Sequence, residues 1–284
     1  MNAPQTVDPQ RLRARKSIIE LTARERVQAL LDFGTFHELL GPFERLDSPW
    51  LGMQGIVPQS DDGVVVARGK IGGINSVVIG IEGKFQGGSI GEVSGAKIAT
   101  ALDLAHEEAE QSSPVHAVLL FETGGVRLQE ANLGLEAIAE INSSLLGLRE
   151  HLPVVGIITG MVGCFGGMAI TASLCSYLIM TRQGRLGLNG PEVIEEQSGI
   201  EEFDSRDRRL IWSVTGGEQR YATKFADYLA DDDADLVRRF ILDAFGRGVP
   251  PIHRSERIDY YLERLGAVDV SRQLESGDVR KLFV

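Results

Sequence analysis

The chain has 284 residues, 43% of them hydrophobic and 24% charged, a length that holds one large α/β domain or two small ones. Its net charge of −11 argues against nucleic-acid binding through overall charge, and the lack of any unbroken apolar run of about 18 residues excludes a membrane-spanning helix. Two cysteines, Cys164 and Cys175, with no CxxC exclude a zinc ribbon or a disulfide scaffold, and five scattered histidines give no paired ligand spacing, so no metal site is expected.

The polar start over residues 1–16, with Arg11, Arg13, Arg15 and Lys16, has no apolar signal-peptide core. It is expected to be a flexible basic arm on a cytoplasmic protein. Thr22 followed by Glu25 predicts a capping box opening a short helix, with Val27, Leu30 and Leu31 inward. Residues 34–60 hold several Gly and Pro and are expected to be irregular. Val64–Lys70 and Ser76–Glu82 read as strands of a hairpin turned at Gly72-Gly73-Ile74-Asn75. A helix over 92–111, a buried strand Ala117–Glu122, a helix over 131–150 and a buried strand Val154–Thr159 follow. A small-residue helix after Gly167 and a strand Tyr177–Thr181 complete the series. Strand, glycine turn and helix therefore recur, which predicts an α/β layer architecture. From about residue 205 the pattern turns helical and charged, with helices expected near 205–214, 217–230, 233–246 and 255–265. The region 205–284 is read as a helical extension of one domain covering 1–284. The acidic run Asp231-Asp232-Asp233-Ala234-Asp235 precedes an apolar-periodic helix and reads as capping.

Glycine is the outlier, with 33 residues, about 12% of the chain where ~7% is usual. Three pairs, Gly87-Gly88, Gly124-Gly125 and Gly166-Gly167, stand where an apolar strand hands over to a helix. Such a place offers unpaired N–H groups at a positive helix end and close backbone approach, so each pair is either a tight turn or a site for an anion or developing oxyanion. No GxGxxG and no GxxxxGK[ST] occurs, which removes the main support for dinucleotide and P-loop readings. No GxSxG elbow occurs either. Cys164 has no evident activating partner and reads as a small buried residue. An oxyanion site without a nucleophile suits enolate chemistry on a thioester.

Four segments occur in order: Phe85-Gln86-Gly87-Gly88-Ser89-Ile90-Gly91, Thr123-Gly124-Gly125-Val126-Arg127-Leu128-Gln129-Glu130, Gly166-Gly167, and Gly190-Pro191-Glu192-Val193-Ile194-Glu195. Over roughly residues 60–230 they resemble the carboxyltransferase branch of the crotonase-like superfamily, the β-type subunits of acyl-CoA carboxylases. With no zinc ribbon, and with this length and helical tail, the chain is most similar to the β subunits of biotin-independent malonate decarboxylases. The resemblance implies a ClpP/crotonase spiral of ββα units with a helical C-terminal extension. It implies a homologous γ subunit as partner, the active site lying between the two, and an acyl-carrier transferase subunit nearby. The substrate would be malonate carried as a thioester on the phosphopantetheine-type, dephospho-CoA-derived arm of an acyl carrier protein. No cofactor held by this chain itself is expected, and neither nucleic acid nor membrane as a partner.

Carried over by motif, the thioester oxygen would sit against the backbone amides of Gly125-Val126 and Gly166-Gly167. Gln86 and Ser89 would line the thioester channel with Gly87 and Gly88 binding substrate beside them, and Arg127, Gln129 and Glu130 would orient the carboxylate or the loop. From the residues alone, Arg127 and Glu130 serve equally well as an ion pair holding the turn, and Ser89 as a cap of the next helix. Two other functions fit the same features: a carboxyltransferase β subunit of a biotin-dependent acyl-CoA carboxylase, and a non-catalytic subunit that binds the carrier protein.

Overall fold

The computed structural model describes the chain apart from residues 1–14, 112, 161, 270, 272 and 273, so most of the basic arm lies outside the described residues. The capping box forms: the Thr22 hydroxyl accepts from the Glu25 N–H while the Glu25 carboxylate accepts from the Thr22 N–H. Helix α1 (Ala23–Leu30) follows, with Val27 and Leu30 fully buried. Strand β1 (His37–Leu39) and a 3-10 turn at Gly52–Gln54 interrupt the segment expected to be irregular. The β-branched runs that favour a pleated, packed surface give β2 (Val64–Ile71) and β3 (Ile74–Ile81), paired antiparallel. Gly72 and Gly73, at φ 59° and 83°, supply the two left-handed positions that a two-residue hairpin turn requires.

The remaining regular elements are α2 (Glu92–Glu110), β4 (His116–Phe121), α3 (Asn132–Arg149), β5 (Val155–Ile158), α4 (Gly167–Leu174), β6 (Tyr177–Thr181), α5 (Pro191–Ser198), α6 (Arg208–Thr215), α7 (Gly217–Ala222), β7 (Tyr228–Ala230), α8 (Ala234–Arg247), α9 (Ile258–Gly266) and α10 (Ser276–Lys281). The seven strands form one sheet in the order β1 to β7, antiparallel up to β3 and parallel beyond it. Spatial order that follows chain order means each crossover steps the same way, which winds the chain into a spiral. Side chains alternate across the sheet. Val64, Val66, Leu119, Phe121 and Met180 meet α2, α3 and α4 on one face. Val65, Ala67, Val118, Leu120 and Ile179 meet α1 and α8 on the other.

Beyond the sheet runs a second, minimal ladder of single bridges: Ile90 with Val126, Thr123 with Cys164, Cys164 with Leu186, and Arg185 with Gly216. Each turn of the spiral therefore holds a long strand, a short extended piece and a helix, the expected ββα unit. The C-terminal part departs from expectation. The segment 217–230 does not stay helical: Lys224 takes a left-handed φ of 59°, and the Phe225 and Ala226 N–H groups both turn back to the Arg220 carbonyl. The chain then enters β7, which pairs with β6. Helix α8 buries Val237, Ile241 and Phe245 in the second core, whereas α9 and α10 contain no buried residues. The acidic run caps as expected. Asp233 accepts from the Asp235 N–H (3.1 Å), and Asp232 accepts from the Ile18 N–H (2.8 Å) and the Ser17 hydroxyl (2.7 Å).

Candidate active site

Parallel strands bring like ends together, so the three glycine turns that leave β3, β4 and β5 lie side by side. The Gly124 N–H donates to the Gly87 carbonyl (2.9 Å), the Ile90 N–H to Gly125 (2.8 Å) and the Phe165 N–H to Thr123 (3.0 Å). A Cβ on Gly125 would stand 3.0 Å from the Gly166 Cα, and one on Gly166 would stand 3.2 Å from the Gly125 Cα. Both residues take left-handed φ, 109° and 61°. Only glycine meets both conditions at this crossing.

Four backbone amides were expected to face a thioester oxygen, and the geometry divides them. The Gly125 N–H donates to the Thr123 hydroxyl (3.0 Å), and the Gly166 N–H donates to the Leu188 carbonyl (2.8 Å). These two glycines supply shape, not donors. Arg127 donates its N–H to the Ile90 carbonyl (2.9 Å), and because successive groups alternate along extended backbone, the Val126 N–H turns the other way. Among the described residues, neither the Val126 N–H nor the Gly167 N–H meets an acceptor. They are neighbours: a Cβ on Gly167 would lie 3.8 Å from Val126 Cγ2. Gly167 also opens α4, where the helix end carries partial positive charge.

The N-terminus of α2 is closed by contrast. The Glu92 N–H donates to the Glu130 carboxylate (2.6 Å), the Ser94 N–H to Asp62 (2.9 Å) and the Gly91 N–H to the Ser94 hydroxyl (2.9 Å). Gly91, not Ser89, is the cap residue, which corrects the expectation for Ser89.

Arg127 and Glu130 face inward. The Arg127 guanidinium is fully buried. It donates to both Asp62 carboxylate oxygens (2.7 and 2.9 Å), to Glu130 Oε1 (3.0 Å), to the Ser89 carbonyl (2.9 Å) and to the Ser89 hydroxyl (3.4 Å). Every guanidinium nitrogen is engaged, so Arg127 holds the turn and leaves no donor for a substrate carboxylate. Glu130 also accepts from the Ser48 hydroxyl (2.7 Å). Burial pushes the Asp62 carboxyl up from its ordinary value despite Arg127. For Glu130, burial works upward too, but the Ser48, Glu92 and Arg127 hydrogen bonds outweigh it and the carboxyl is held low. Gln129 is exposed and its carbonyl accepts from the Gln54 side chain. Gln86 is half-buried beside exposed Gly87, and Gly88 is packed against the Glu122 carbonyl.

Two further residues belong to this site, Asp62 and Glu122. Asp62 lies just before β2 and no local pattern links it to Arg127, 65 positions away. Glu122 ends the apolar strand run, and an acid closing a buried strand was the available signal. Its carboxylate is fully buried. It accepts from the Thr159 hydroxyl, the Gly160 N–H (2.8 Å) and the Val162 N–H (2.6 Å), and it pairs with Arg26 at 3.4 Å. Glu122 thus stands one residue before the Val126 loop and ties down the loop that leads to Gly167. Cys164 and Cys175 are fully buried; burial drives the Cys164 thiol well up and pushes Cys175 up to about 12. Neither supplies a thiolate, in keeping with the reading of Cys164 as a small buried residue.

A spiral of ββα units that brings two unengaged amides together at neighbouring glycine turns defines the crotonase-like class. The carboxyl transferase domain model matches residues 19–242, and the chain belongs to that family. It is 46% identical to the malonyl-S-ACP:biotin-protein carboxyltransferase of Malonomonas rubra, across 79% of this chain and 73% of that protein. It is 58% identical to a chain of the Pseudomonas malonate decarboxylase hetero-tetramer solved with malonate, with a TM-score of 0.94 over 97% of this chain and 100% of that one. A chain of the Pseudomonas malonate decarboxylase MdcD-MdcE hetero-dimer matches at 52% identity and a TM-score of 0.75, over 90% of this chain and 98% of that one. Among the described residues, no helix is long and apolar enough to cross a membrane.

Proposed function

We propose that this chain is the β subunit of a malonate decarboxylase, one carboxyltransferase-type domain that acts in the cytoplasm beside a homologous γ subunit. Its substrate is a malonyl thioester on the phosphopantetheine-type arm of an acyl carrier protein loaded by a transferase subunit. The observation that carries the reading is the pair of unengaged N–H groups on Val126 and Gly167, in a chain so similar along its whole length to one from a malonate decarboxylase.

In the reaction the bond between the malonyl carboxylate and its α-carbon breaks, and CO2 leaves. The electron pair passes into the thioester carbonyl as an enolate, whose charge rests on the oxygen. Val126 and Gly167 donate to that oxygen. Such donors act where charge develops, and losing one costs about 3–4 kcal/mol, or 10²–10³ in rate. A proton then reaches the carbon and gives the acetyl thioester. The 230 Å³ cavity beside α4, lined by Ile170, Ser173, Leu186 and Leu188, offers the carrier arm a partly apolar wall.

The Malonomonas rubra relative is named for transfer to a biotin protein, which favours a second reading, carboxyl transfer to biotin over the same amides. CO2 release from a malonyl thioester, measured for this chain with its homologous partner and with or without avidin, separates the two. Partner-dependent release that avidin leaves intact is the expected result. Release abolished by avidin would move the chain to biotin chemistry, and thioester binding without release would make it a carrier-binding subunit.

A further inference from the structure

Helices α2 and α3 are the crossovers of successive parallel strands, so both run the same way and both C-termini emerge on one side. There, among the described residues, His106, Glu110 and His151 bring one ligand atom each to within 4.8 Å of the others. His106 and Glu110 are one helical turn apart on α2, with His106 Nε2 3.8 Å from Glu110 Oε1. His151 follows the end of α3, its ring centroid 4.7 Å from that of His106. Gly147 on α3 leaves the space: a Cβ there would stand 3.1 Å from His106 Nδ1.

Two further observations favour a cation. His106 Nε2 is buried and has no hydrogen-bond partner, since 3.8 Å is too long for a hydrogen bond to Glu110. The last turn of α2 contains no basic residue; Arg68 pairs with Glu108 there, and Glu107 and Glu110 add to the negative helix end, where a further positive charge is stabilised.

We propose that His106, Glu110 and His151 bind a transition-metal dication of the zinc type, with the fourth position open to water. Two imidazoles and one carboxylate match the donor preference of that class, whereas magnesium and calcium favour all-oxygen sets. Metal–ligand bonds of about 2.0–2.1 Å place tetrahedral ligands roughly 3.3 Å apart. Glu110 and His151 are exposed and free to close that difference by side-chain rotation. At about 1.5 Å rise per residue, His106 lies roughly 20 Å along α2 from Glu92, so the ion clips two helix ends together and takes no part at the oxyanion amides.

The test is a Zn²⁺ titration of the chelator-stripped full-length chain by calorimetry, with Mg²⁺ as the comparison and thermal unfolding as a second readout. One Zn²⁺ per chain is expected, with a raised Tm and no matching effect of Mg²⁺. His151→Ala, on an exposed side chain, and His106→Ala should each weaken binding by at least about tenfold, given that outer-shell partners alone shift metal affinity about 10–100-fold. Glu110→Gln should weaken it while leaving the fold intact by circular dichroism. No saturable Zn²⁺ binding by the wild type, or unchanged affinity in His151→Ala and Glu110→Gln, would overturn the assignment.

Discussion

Arg127 sits between two carboxylates whose side chains are fully buried. Removing it leaves Asp62 and Glu130 as uncompensated buried charges, so Arg127→Ala is expected to cost about 3–5 kcal/mol in urea unfolding. Arg127→Lys should recover only part of that, because an ammonium does not reproduce the guanidinium fork. Glu130 also sets a pH dependence. Its folded carboxyl lies below the ordinary 4.5, so its contribution is fully present above that value and is lost as pH falls through the lower folded value. Tm should therefore fall on acidification below about pH 4.5, and less steeply in Glu130→Gln than in the wild type. The two thiols give a complementary check. Raised well above the working range, they should resist alkylation at pH 8 until denaturant exposes them, whereas a thiolate at Cys164 would react at once.

At the scale of elements, Glu122 joins the two turns that present the amides. Hydrogen bonds to a charged acceptor are worth about 1.5–3 kcal/mol each, so Glu122→Gln should lower kcat for CO2 release by roughly 10–100-fold with thioester KM little changed. A matched rise in KM would argue that Glu122 only stabilises the fold. What the sequence revealed follows from how local each signal is. The Thr22–Glu25 box, the β2–β3 hairpin and the apolar strand runs depend on neighbours in sequence, and all appear in the structure. Strand β7 depends on pairing with β6, and nothing within 217–230 announces a distant partner. The glycine pairs were visible as turns. Which of their N–H groups stay open depends on the carbonyls of Ile90 and Leu188 and on the Thr123 hydroxyl, contacts that exist only once the loops are stacked. The Arg127–Glu130 pair could be read from the motif, but its role became plain only with Asp62, which folding delivers from afar.

For the whole molecule, large apolar side chains stand exposed on the elements that follow the glycine turns: Leu128 at 83%, Leu135 at 58%, Ile170 at 49% and Leu188 at 63%. A patch of this kind marks an interaction surface, and two similar chains come from a hetero-tetramer and a hetero-dimer. The double variant Ile170→Asp with Leu188→Asp is expected to stay folded but to elute apart from the homologous subunit in size-exclusion chromatography. Co-elution unchanged from the wild type would place the interface elsewhere.

The most direct measurement compares Gly167→Pro with Gly167→Ala in the assembled complex, reading single-turnover CO2 release from a malonyl thioester. Gly167 is the first residue of α4, where proline's fixed φ suits the helix and no helical hydrogen bond is lost, while its ring takes the place of the N–H. Alanine adds a similar Cβ, 2.9 Å from Ile138 Cδ1, but keeps the donor. A loss of about 10²–10³ in rate is expected for proline, with alanine within about tenfold of the wild type. A folded, assembled Gly167→Pro complex that releases CO2 as fast as Gly167→Ala would contradict that expectation.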